Sequence, residues 1–149
     1  MPVRVKLNLR PLIRLRQRAP EVLRELDKPL RATVRHALDL SQFDVPRGDR
    51  DVEYDRHGNE KQRTRPLADT GFIDGPEYRL DKRLSTTWVA GYAHHAAGAI
   101  HEGFHWGDQI INPPPHFLKR AFRRSRSLGR KGVREALEQA LKKLFHSQQ

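Results

Sequence analysis

Residues 11–42 read PLIRLRQRAPEVLRELDKPLRATVRHALDLSQ, and their spacing decides the fold. Leu12, Ile13, Leu15, Val22, Leu23, Leu26, Leu30, Val34, Ala37 and Leu38 recur at intervals of three and four. That is one apolar stripe on a largely basic helix. Proline is tolerated in a first helical turn but costs a backbone hydrogen bond further in. Pro11 therefore suits the start, whereas Pro20 and Pro29 predict a break or kink. Asp27 is a candidate N-cap for a restart at Pro29. The expectation is a helix over 11–42 with one or two interruptions.

Upstream, Val3-Arg-Val-Lys-Leu-Asn-Leu9 alternates strictly and predicts a half-buried strand. Downstream, residues 44–68 are polar, mixed in charge and without helical period, and carry Gly48 and Gly58. They read as a long loop or arm centred on 45–65, with a turn at His57-Gly58-Asn59. Segments 77–82 and 84–93 are rich in strand formers around Thr86, Thr87, Trp88, Val89 and Tyr92, with a turn at Asp81-Lys82-Arg83. Asn112-Pro113-Pro114-Pro115 ends whatever precedes it. Apolar residues from Phe117 to Phe145 then resume the helical period. Gly129 and Gly132 weaken the middle, leaving either one bent helix or two. The order predicts a single α+β domain over 1–149: an N-terminal strand and long helix, a small antiparallel sheet, and a C-terminal helix packed on one face.

The chain has 149 residues, 29 Lys+Arg against 18 Asp+Glu, a net charge of +11 and no cysteine. Cysteine-free chains hold no disulfide, iron–sulfur cluster or thiolate zinc site. No apolar run reaches the roughly 18 residues of a spanning helix, and no secretory apolar core is evident. The positive balance favours polyanionic neighbours: nucleic acid, acidic protein surfaces or anionic lipid. Lys119, Arg120, Arg123, Arg124, Arg126, Arg130 and Lys131 form a basic run free of acids, with 119, 123, 126 and 130 on one helical stripe. No aromatic residue interleaves with these charges, so base stacking is not expected there.

His101-Glu102-Gly103-Phe104-His105 matches H-E-x-x-H. On a helix, two such histidines share a zinc ion and the glutamate polarises its water. Gly103 is a poor helix former. The third-histidine position of the longer metzincin pattern holds Ile111, and Glu135 and Glu138 are the remaining sources of a third ligand. The structural reading is favoured, with no catalytic residue, metal or cofactor assigned. A small zinc-dependent hydrolase on His101, Glu102 and His105 stands as an alternative, as does a basic nucleic-acid-binding protein.

Three segments carry a resemblance: Pro66-Leu-Ala-Asp69-Thr70-Gly71-Phe-Ile73, Tyr92-Ala93 through His101-Glu102-Gly103, and Pro114-Pro-His-Phe117-Leu118-Lys-Arg-Ala121. Their pattern is similar to that of tailed-bacteriophage neck and tail-completion proteins, the minor tail components. The polar insertion at 45–65 and the interval from Tyr92 to His101 are longer than that pattern. The resemblance implies a non-enzymatic virion protein at the head–tail junction, assembled in the host cytoplasm. It further implies a ring, commonly sixfold, with connector, neck or tail-tube proteins as neighbours, packaged DNA within reach and no membrane partner. The tail terminator of the same junction is the neighbouring alternative. The resemblance also makes Glu102 a structural or intersubunit acceptor and Gly103 a position needing backbone freedom.

Overall fold

The computed structural model describes residues 10–45, 55–59, 65–94, 96–102, 104–106, 109–111 and 116–146. The strand expected over 3–9, together with Gly103 and Pro114, lies outside them, as does most of the 45–65 arm. The elements are α1 (Arg10–Gln17), α2 (Ala19–Asp44), β1 (Gly71–Arg79), β2 (Ser85–Tyr92), α3 (Ala97–Glu102), β3 (Phe104–Trp106), β4 (Gln109–Ile111) and α4 (Phe117–His146). This is the expected α+β class, with its sheet content in two antiparallel ribbons, β1–β2 and β3–β4.

The proline readings divide. The helix breaks at Arg18, and Pro20 sits in the first turn of α2, where its missing N–H costs nothing. Pro29 does not interrupt the helix: α2 runs through it for 26 residues. Thr33 Oγ1 donates to the Pro29 carbonyl at 2.7 Å, and Pro29 packs against Gly132 of α4. Tertiary packing thus outweighs the local cost. Asp27 is consequently no N-cap.

The two glycines expected to weaken the C-terminal helix have the opposite role. α4 is one helix of 30 residues, antiparallel to α2. A Cβ at Gly129 would stand 2.8 Å from Thr33 Cγ2, and one at Gly132 would stand 3.1 Å from Pro29 Cβ. Ala121, Ser125 and Gly129 on α4 are buried, and so are Ala37 and Ser41 on α2. This seam of small residues lets the two backbones approach closely. Ser125 Oγ donates to the Ala121 carbonyl and Ser41 Oγ to the Leu38 carbonyl, so both buried hydroxyls are satisfied.

The β1–β2 hairpin covers another side of α2. Its turn falls at 81–83, as expected, but β1 begins at Gly71, six residues before the predicted strand. Gly71, Asp74, Gly75 and Pro76 are weak strand formers, which hid it. The inner face alternates Trp88, Ala90 and Tyr92 with Ile73 opposite, against Val34 and Leu38 of α2. The register shifts between Asp74 and Glu77, so Tyr78 pairs with Thr86. Side chains alternate faces, and this bulge moves Tyr78 from the outer face to the inner one. Gly75 sits there with φ +130°, and a Cβ would meet the Thr87 carbonyl at 2.9 Å. α2 is thus the middle layer, with most of α4 on one side and the hairpin on another. Phe122 of α4 reaches the hairpin cluster.

In the polar arm, residues 55–59 make the expected turn. The Asp55 carboxylate accepts from the His57 and Asn59 amides at 2.8 and 2.9 Å, with Gly58 at φ +80°. Hydrogen bonding by Asn59, chiefly from its backbone, lowers the Asp55 pKa.

Candidate functional site

The described residues of 66–73, 92–102 and 116–121 meet where α4 begins. Leu67–Thr70 forms a single 3-10 turn, closed by Thr70 Oγ1 donating to the Leu67 carbonyl. The Ala93 amide donates to the Thr70 carbonyl at 2.9 Å, which ties the first segment to the second. Gly71 then lets β1 pass close to α2, since a Cβ would lie 3.3 Å from Leu38. Asp69 and Ala93 are exposed.

Tyr92 and His101 join the second segment to the third. The Tyr92 ring packs edge-on against Phe117 at 5.6 Å, and His101 does so at 4.9 Å. Among the described residues Phe117 is the most deeply buried aromatic one, at 1% exposure, in a cluster with Val45, Leu67 and Ala68. Leu118 and Ile100 pack on that cluster, and Ala121 is buried one turn further. Tyr92 Oη lies 2.6 Å from Ser41 Oγ. The single Ser41 hydroxyl proton goes to the Leu38 carbonyl, so Tyr92 is the donor. Burial raises the Tyr92 pKa, with the Ser41 contact acting against it.

The H-E-x-x-H segment does not form the helix that its zinc chemistry requires. α3 ends at Glu102, and His105 stands in β3. Glu135 and Glu138 lie 18 and 21 residues into α4 from Phe117. At 1.5 Å per residue that is about 27 Å or more along the helix from its start. Neither reaches His101.

His116 meets His101 and Glu102 instead. His116 Nδ1 lies 3.6 Å from Glu102 Oε2, and the two imidazoles are edge-to-face at 5.3 Å. The His116 amide donates to the His101 carbonyl at 2.7 Å, and its carbonyl accepts from Arg120. His116 has φ +60°, a left-handed conformation uncommon for residues other than glycine, although histidine, asparagine and aspartate enter it more often than most. Desolvation lowers the His101 pKa; Glu102 opposes this, and His116 and Lys119 reinforce it. In the sequence His116 stands within the Pro114–Ala121 segment, with nothing to tie it to His101 and Glu102.

The basic run on α4 is exposed at Lys119, Arg123, Arg124, Arg126, Arg130 and Lys131. Arg120 departs from it: its guanidinium pairs with Asp44 at 2.5 Å, tying α4 to the end of α2, and its Nε is buried. Of the six others, Lys119, Arg123, Arg126 and Arg130 form the stripe, and Arg124 and Lys131 flank it.

A second basic surface escaped the sequence reading. Arg24, Lys28, Arg31 and Arg35 recur along α2 at helical spacing and are exposed. Arg31 and Arg35 border a groove of about 500 Å³ with Phe72, Pro76 and Trp88 from the hairpin. The Arg31 guanidinium lies 5.9 Å from the Trp88 ring centre. Beside it, the Asp27 carboxylate accepts from Tyr78 Oη, from Thr86 Oγ1 at 2.9 Å and from Trp88 Nε1 at 3.2 Å. One helical acid thus docks the hairpin. The sequence signal was its place amid basic residues opposite three hydroxyl or indole donors, which needs the pairing to be read.

Comparison with protein-family models, with curated proteins and with solved structures finds no match.

Proposed function

We propose that this chain is a structural, non-catalytic subunit of the head–tail junction of a tailed bacteriophage, at the neck or tail-completion position, where copies close into a ring. The observation that carries the reading is the convergence described above. Three segments distant in sequence, each recognised by its resemblance to this family, pack on one another around Tyr92, His101 and Phe117. A tail terminator at the same junction rests on the same residues.

Two surface features support assembly with polyanionic and protein neighbours. The outer face of the hairpin exposes Phe72 and Val89, 41% and 50% accessible, on adjoining strands. Two exposed apolar side chains on neighbouring strands, flanked by Asp74 and Thr87 on the same face, suit burial against a second copy. The stripes on α2 and α4 present exposed cations, suited to DNA or acidic connector surfaces.

Native mass spectrometry of the full chain at physiological ionic strength tests the reading. One closed stoichiometry is the expected result. Phe72→Glu with Val89→Glu should return it to monomer with an unchanged helical circular dichroism spectrum. A chain that stays monomeric up to its solubility limit overturns ring assembly. If that monomer binds duplex DNA with a steep salt dependence, the basic nucleic-acid-binding alternative takes its place.

A further inference from the structure

We propose that His101, Glu102 and His116 form a binding site for a divalent ion of the zinc class, which clamps the end of α3 to the start of α4. The inference goes beyond the junction reading and does not depend on it.

The three residues each offer one donor atom, and these atoms lie within 4.8 Å of one another. Zinc–ligand bonds of 2.0–2.2 Å at tetrahedral angles put donor atoms about 3.4 Å apart. His116 Nδ1 and Glu102 Oε2 are already at 3.6 Å. Closing the set takes side-chain rotation alone, and Glu102 is exposed and free to turn. Two imidazoles and one carboxylate form a borderline donor set, suited to zinc, cobalt or nickel over magnesium or calcium.

Two further features prepare the site. The backbone bond from His116 to the His101 carbonyl fixes the separation of the two histidines. His116 holds a left-handed conformation that glycine or asparagine would adopt with less strain. Such strain at a residue with a chemically active side chain points to a role for that side chain.

The chemistry separates this site from the hydrolase alternative. In the H-E-x-x-H mechanism the glutamate is a base and not a ligand. Here Glu102 is the anionic ligand. It also offsets Lys119 and the positive end of α4, which oppose a cation. With the carboxylate on the ion, no second carboxylate in the set is left to act as the H-E-x-x-H base, and the fourth position of the ion falls to water.

Cobalt titration of the tag-free full chain tests this, read by visible absorption and by thermal melting with and without added zinc. One cobalt ion per chain should bind with the intense bands of a site of low coordination number, and zinc should displace it and raise Tm. His116→Asn keeps a residue that tolerates left-handed backbone, and Glu102→Gln keeps the shape. Each should weaken binding about tenfold or more and remove the zinc-dependent rise, with circular dichroism unchanged. His57→Asn, on an exposed turn, should have no effect. Absence of cobalt binding, or binding that survives both substitutions, overturns the proposal. Loss in His105→Asn with retention in His116→Asn overturns it too, and assigns the ion to the H-E-x-x-H pair.

Discussion

At the scale of single residues, Asp27 is the position where local and tertiary preferences differ most. Acid before proline reads as a helix cap, yet the carboxylate serves the hairpin through three donors. Hydrogen bonds to a charged group contribute more than neutral ones, and orphaned donors add a penalty. Asp27→Ala should therefore lower stability by about 1–3 kcal/mol, seen as a lower urea midpoint with an unchanged slope. Asp27→Asn should fall between, since its amide can accept from one donor while its NH2 group faces another. His101 gives a pH signature. Its pKa is lowered from 6.5 in the fold, chiefly by desolvation, so the unfolded chain takes up the proton first. The stabilisation held by neutral His101 is complete above about pH 6.5 and declines as pH falls below it. His101→Gln should flatten that part of a stability-against-pH curve measured by chemical denaturation. Both contacts were beyond sequence reading, because they join residues 51 to 61 positions apart in one case and pass through buried rings in the other.

At the scale of elements, the helical periods of α2 and α4 were legible, as were the break near Arg18 and the hairpin turn at 81–83. Apolar spacing is a local property and survives in one dimension. The α2–α4 seam was not legible. Gly129 and Gly132 read as helix breakers, because their value lies in what they leave room for on the other helix. Gly129→Ala gains helix propensity but drives a methyl into Thr33. The net should be destabilising by about 1–3 kcal/mol, as for other overpacked cores. Removing the obstacle should reverse the sign: Gly129→Ala with Thr33→Ala should equal or exceed the parent by up to about 1 kcal/mol, the propensity difference between Gly and Ala. A double-mutant cycle in urea reads the coupling. The start of β1 was missed for a related reason. Gly71 and Gly75 are strand-poor by themselves and are needed because α2 and the Thr87 carbonyl lie close to them.

At the scale of the whole molecule, the charge reading and the α+β class were legible, since both are sums over the chain. The candidate site was half legible: the motif segments were seen, but their meeting at Phe117 and the arrival of His116 were not. The surplus behind the +11 charge lies in α4, which nets +8, and in residues 1–18, which carry six cations and no acid, whereas the exposed cations of α2 are balanced by five acids on the same helix. Each cation touching a phosphate adds about 0.9 to the salt slope of DNA binding. Arg123→Ala with Arg126→Ala should therefore lower the slope by about 2 if the α4 stripe tracks the backbone, measured by fluorescence anisotropy over a salt series. An unchanged slope would place the contact away from Arg123 and Arg126, on other cations such as those of the α2 stripe. The seam also has a mechanical meaning. Two antiparallel helices of 26 and 30 residues, about 39 and 45 Å long, touch through small side chains with few rotamers to rearrange. They are pinned near one end by Arg120 and Asp44 and near the other by Lys143 and Glu25. Such a pair acts as a single beam: a push at the Phe117 end arrives at the far end as rigid displacement, with little of it absorbed along the way.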